Sequence, residues 1–95
     1  MNATAYVAAV ADYLDAMIPT ASDDELFAAG YLRGHFDLAV GKLEVAAAPF
    51  APQDIQAGVE QSLSEAIAQG ELNDSDQQLV QQLWQHLQQV GPAEA

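Results

Sequence analysis

Tyr31, Arg33 and His35 fall within one short helix-patterned stretch and bring a phenol, a guanidinium and an imidazole close together in the chain. Such a set could bind a carboxylate or phosphate, or move a proton, if the three side chains converged on one cleft. A small-ligand binder or enzyme with a cleft near Tyr31, Arg33 and His35 is therefore one reading. The helical wheel weakens it, because Arg33 projects roughly opposite Lys42 and Asp37 lies one turn on, where it can pair with Arg33. Metal chemistry fails on ligand supply. There is no cysteine, and neither His35 nor His86 has a carboxylate three or four residues away. Asn73-Asp74-Ser75-Asp76 begins like a calcium loop, but Gln78 stands where the sharp turn requires glycine, and a helix cap explains the run better. Ser22, Ser62, Ser64 and Ser75 have places at caps or on helix faces, and no glycine-rich loop follows a strand. The expectation is a protein that is not an enzyme, with no cofactor and no metal.

Charge narrows the partners. Fourteen acidic against two basic side chains give a formal charge of −12 over 95 residues, a field that repels phosphate backbones and anionic lipid. Nucleic acid and membrane surfaces are thus expected not to be partners. Asp12 and Asp15 interrupt the first apolar stretch, and no uninterrupted apolar run reaches the length of a membrane span, so a cytoplasmic location is expected. With 51% hydrophobic and 17% charged residues, the chain is composed to fold around a single core as one helical domain.

Apolar residues recur at intervals of three and four, with proline and glycine at the breaks, so the elements that must position these side chains are helices. The signals place them from Ala3 to Ile18, Asp23 to Ala47, Pro52 to Gln69 and Asp74 to Val90. Pro19 stops the first, and Ser22 with Glu25 forms a capping box for the second. Pro49 and Pro52 bound the next break, Gly70 is the left-handed stop of the third helix, Asn73 caps the fourth, and Gly91-Pro92 closes it. Short breaks favour neighbours running in opposite directions, and the predicted fold is all-α: a small antiparallel four-helix bundle with a long second helix.

That second helix is apolar on two sides. Ala29, Leu32, Phe36, Ala39, Val40 and Leu43 form one face; Phe27, Tyr31, Leu38 and Val45 form another, beside a strip of Gly30, Gly34 and Gly41. Each glycine costs up to about 1 kcal/mol relative to alanine inside a helix, which calls for a close approach to the strip. A neighbouring helix of the same bundle is the first expectation for what covers it, and a protein partner or a second copy is the next. The candidate interaction surface is Phe27, Gly30, Tyr31, Gly34, Leu38, Gly41 and Val45. The function expected from it is a non-enzymatic protein interaction module, with a protein partner or itself as a homodimer.

The run from Ser22 through Asp23, Asp24, Glu25, Leu26, Phe27, Ala28, Ala29, Gly30, Tyr31, Leu32, Arg33 and Gly34 to His35 resembles the signature of the YfcL family, small proteobacterial proteins. The likeness extends through Val59 to Ile67, Gly70-Glu71-Leu72 and Asp76 to Trp84. It implies a bacterial cytoplasmic protein of unknown function, and no activity, ligand or site residue comes with it.

Overall fold

The computed structural model describes residues 2–90 and is all-α. Its elements are α1 (Ala3–Met17), a single 3₁₀ turn (Ile18–Thr20), α2 (Asp23–Val45), α3 (Pro52–Ala68) and α4 (Asp74–Leu87). Each helix begins where a side chain can take up an otherwise unpaired backbone amide. Asn2 accepts from the Ala5 amide at 2.8 Å, and Asn73 from the Asp76 amide at 2.7 Å. Ser22 and Glu25 form the expected reciprocal box, at 3.1 and 2.7 Å. At α3 only half of that device exists: Asp54 accepts from the Ala51 amide at 2.8 Å, and alanine has nothing to return.

Each helix closes earlier than the sequence reading places it, α3 by one residue at Ala68. At α1, Pro19 does not cut the chain off but sits inside the 3₁₀ turn, so the helix closes at Met17. At α2 the last helical residue is Val45, two short of Ala47, because Ala47 adopts φ 60° and its amide turns back to the Glu44 carbonyl at 3.1 Å. A left-handed residue of this kind ends a helix, and alanine takes the conformation only at a cost of about 1–2 kcal/mol. At α4 the helix stops at Leu87, and the expected Gly91-Pro92 stop lies outside the described residues. Gly70, with φ 76°, ends α3 as expected: its amide meets Ile67 O at 3.0 Å and the Glu71 amide reaches back to Ala66 O at 3.2 Å.

All four helices contribute to one core. Tyr6, Val10 and Leu14 come from α1, Leu32 and Phe36 from α2, Ile55, Val59 and Leu63 from α3, and Val80, Leu83, Trp84 and Leu87 from α4. These are the stripes that the three- and four-residue spacing picks out. The longest helix, α2, packs against both α3 and α4. Gly58 of α3 lies against Ala39 of α2, and Ser62 against His35, so numbers rise along one helix as they fall along the other. A β-carbon on Gly58 would stand 3.2 Å from that of Ala39. The close helix approach is therefore at Gly58, at the margin of the Ile55, Val59 and Leu63 stripe.

Candidate functional site

With its core face turned toward α3 and α4, α2 presents the opposite side outward. Measured at about 100° per residue, Phe27, Gly30, Gly34, Leu38, Gly41 and Val45 fall within an arc of about 80°, with Leu32 and Phe36 opposite. Between Phe27 and Val45 no charged residue lies in that arc, although the chain as a whole carries −12. Phe27 is 47% exposed, Leu38 51% and Val45 85%. A β-carbon added to Gly30, Gly34 or Gly41 would meet nothing within 4 Å.

The first expectation for the glycine strip is thereby corrected: among the described residues no neighbouring helix covers it. The reason is geometric. The buried residues of α2, Ala28, Ala29, Leu32, Phe36 and Ala39, lie on the far side, and the contacts with α3 and α4 are made there. Gly34→Ala should consequently raise the thermal midpoint of the monomeric chain, stabilising it by up to about 1 kcal/mol, since alanine is the better helix former and finds open space. Melts in dilute solution check this, and a lowered midpoint would mean that the strip is covered.

Tyr31 forms the margin of the stripe. Its ring contacts Phe27 at 5.9 Å and His35 at 4.7 Å between centroids, and its hydroxyl donates to the Glu71 carboxylate at 2.8 Å. Burial first, and then the hydrogen bond and negative charge of Glu71, push the Tyr31 hydroxyl up to about 12. It stays a proton donor through the neutral range, holding α2 to the segment between α3 and α4.

Of the three side chains in the cleft reading, two come together and one does not. His35 is half-buried, its ring against Tyr31 and its Nδ1 hydrogen-bonded to Ser62 Oγ on α3. Arg33 turns the other way and pairs with Asp15 of α1 at 3.0 Å, not with Asp37. That pair is largely exposed, where such contacts contribute about 0–1 kcal/mol. The Ser62 contact with His35 is new relative to the sequence reading, which left Ser62 on a helix face. Serine beside histidine is the start of a nucleophile and its base, but the chemistry also needs a group orienting the imidazole and amides free to hold an oxyanion. Among the described residues no carboxylate bonds the His35 ring, and Ser62 lies mid-helix, where backbone amides are used by the helix itself. The contact works as a strut between α2 and α3.

One cleft reaches Ser62 and another lies away from these residues. The first, of about 370 Å³, lies between α2 and α3 beside Leu38, Lys42, Asp54, Gly58, Ser62 and Glu65. The second, of about 200 Å³, is bounded by Tyr13, Met17, Glu25, Leu79, Leu83 and His86. Tyr13 and His86 stack there at 6.3 Å. Among the described residues no group of three or more histidine and acidic side chains could hold a metal ion, and no helix is long and apolar enough to cross a membrane.

The comparisons bear on the whole helical frame. The family model described as YfcL protein matches residues 4–89, from the start of α1 to beyond the end of α4. The chain belongs to the YfcL family. Within it, the uncharacterized protein YfcL of Escherichia coli (strain K12) is 49% identical over 74 residues, covering 78% of this chain and 79% of that protein. No solved structure matches the chain. The family resemblance read from Ser22 to His35 is thus borne out, and the function of the family is unknown.

Proposed function

We propose that this chain is a non-enzymatic protein interaction module of the bacterial cytoplasm whose contact surface is the outward face of α2. The observation that carries the reading is the placement of Phe27, Leu38 and Val45, each about half exposed or more, on a charge-free stripe opposite the core. An isolated exposed leucine needs no explanation; a continuous apolar stripe along the longest helix does. The glycines support the same reading, since they lower the height of the stripe where none of the described residues comes within 4 Å of an added β-carbon. The acidic remainder keeps the molecule soluble and disfavours nucleic acid as the partner.

A photoreactive phenylalanine analogue introduced at Leu38, and separately at the exposed Ser64 of α3, tests this in bacterial cells. Irradiation should give a discrete protein adduct from position 38 and none from position 64. If positions 27, 38 and 45 all fail to give an adduct, the stripe is not a contact surface and the reading falls.

A further inference from the structure

From the charges that border the stripe, we propose that its partner is a basic amphipathic helix of another protein, apolar on the side that meets Phe27, Leu38 and Val45 and carrying lysine or arginine along both flanks. The inference rests on the reading of α2 as a contact surface and deepens it by giving the chemistry of the occupant.

Acidic side chains frame the stripe on both sides. Measured about the α2 axis at about 100° per residue, Asp37 and Glu44 stand along one edge, about 60–80° from the midline, and Asp24 stands about 80° away on the other. All of them are exposed. On the Asp24 side Glu71 is held at the margin by the Tyr31 hydroxyl at 2.8 Å, and Asp23 closes the stripe one turn before Phe27. The chain's lysine and arginine offset little of this. Arg33 is already paired with Asp15 of α1 at 3.0 Å, and Lys42, on the same edge as Asp24, shares the cleft between α2 and α3 with Asp54 and Glu65. An apolar strip between rows of carboxylates repels an acidic partner and favours one whose cations fall to either side of its own apolar face.

The backbone of α2 decides the form of that partner. Its mid-helix amides and carbonyls are bonded within the helix, so an extended segment laid on the stripe would find no ladder to join. A helical segment satisfies its own backbone and needs only a face. Gly30, Gly34 and Gly41 lower the middle of the stripe between the projections of Phe27, Leu38 and Val45, so that a second rod can settle close to the first.

Size and charge set the strength. From Phe27 to Val45 the stripe runs about 27 Å, the length of a helix of about 18 residues, and on a rod about 10 Å wide it offers about 300 Å² of facing area. Stable complexes bury about 800 Å² per partner, so the apolar contact alone is too small and the flanking charges have to contribute. The complex is accordingly weak, with dissociation in the range of about 10 μM to 1 mM at low salt, and it loosens as salt screens the attraction.

Fluorescence anisotropy of labelled peptides mixed with the full chain tests this. The peptides are of about 18 residues, share one leucine and alanine face, and carry lysine, glutamine or glutamate along its flanks. The lysine peptide should bind in the range given, at least about tenfold more tightly than the glutamine peptide, and the glutamate peptide should not bind up to about 1 mM. Proline at the centre of the lysine peptide should weaken it at least about tenfold, and equal binding would overturn the helical form. Raising salt from about 0.05 M to about 0.5 M should weaken the lysine peptide at least about fivefold. Asp37→Asn with Glu44→Gln should do the same at low salt. Asp12→Asn with Glu60→Gln makes an equal change of charge on the side of α4, beside His86 and Gln88, and should alter binding less than about twofold. Leu38→Gln, at a half-exposed site where the fold is little affected, should weaken binding at least about fivefold. A lysine peptide that does not bind, or equal weakening by the two charge pairs, overturns the proposal. A glutamine peptide that binds as tightly as the lysine peptide and is released by Leu38→Gln overturns the basic partner and leaves α2 as a contact surface. An adduct in cells through position 38 to an acidic segment has the same meaning, whereas absence of any adduct from positions 27, 38 and 45 removes the surface itself.

Discussion

Leu32→Ala should lower stability by about 2–5 kcal/mol, the cost of an unfilled cavity at a closed core site. Leu32 is fully buried on the inward face of α2, the helix that packs against both α3 and α4. A void there is bounded by several rigid elements at once and has little means of collapsing. Against a total of about 5–15 kcal/mol for a domain of this kind, the loss is a large fraction. At roughly 4–8 °C per kcal/mol, the thermal midpoint should fall by about 8–40 °C. Trp84, the only tryptophan and itself buried, reports the transition by fluorescence. Leu38→Ala, on the outward face of the same helix, should stay within about 0.5 kcal/mol in dilute solution. Equal losses at the two positions would mean that the outward face is as well covered as the core.

The contrast between those leucines shows how much of the fold was legible beforehand. Both stripes of α2 are visible in the spacing of apolar residues, because periodicity records which side chains share a face. It does not record how many faces find a neighbour. Only the packing shows that the Leu32 face is enclosed and the Leu38 face is not. Local devices were readable for the same reason that they form: Ser22 with Glu25, and Asn73 with the Asp76 amide, act within a single turn. Long-range partners were not. Arg33 has Asp37 one turn away and takes Asp15 from another helix, and the Ser62 contact with His35 joins positions that no spacing rule connects.

The glycines divide along the same line. Gly30, Gly34 and Gly41 form a visible strip where an added β-carbon meets nothing within 4 Å among the described residues, whereas Gly58 receives the close approach of Ala39. Gly58 has a signal, lying three residues after Ile55 and next to Val59 on a buried stripe, but a lone glycine draws less notice than a row. Helix termination shows the opposite failure. Ala47 takes a left-handed conformation that glycine or asparagine would have announced.

Tyr6→Phe should cost about 1–3 kcal/mol, although it removes a single oxygen atom. The Tyr6 hydroxyl is buried and donates to the Leu87 carbonyl at 2.8 Å, while Gln56 donates to that hydroxyl at 3.2 Å and to the Gln88 carbonyl at 3.3 Å. Leu87 is the last residue of α4, so its carbonyl belongs to the set that a helix cannot satisfy internally. Here α1 and α3 supply the missing partners. Phenylalanine keeps the ring contact with Phe36 at 5.8 Å but leaves the Leu87 carbonyl and the Gln56 amide short of a bond. A double-mutant cycle with Gln56→Leu should show coupling of about 0.5–3 kcal/mol, since the two residues share one network. Hydrogen exchange at the end of α4 should accelerate in Tyr6→Phe. The pH arm has a definite sign. Burial raises the Tyr6 hydroxyl above its ordinary value of 10.0, the Gln56 bond opposing it, so the folded chain holds this proton more tightly than the unfolded chain. The associated stability is complete below about pH 10 and is lost as pH rises through the raised value. Tyr31 contributes in the same direction, up to about 12. Wild type should therefore lose stability above pH 10, and Tyr6→Phe should lose less of it over the same interval, retaining only the Tyr31 part. An alkaline profile identical in the two proteins, together with unchanged exchange at the end of α4, would show that the hydroxyl does not hold α1 to α4.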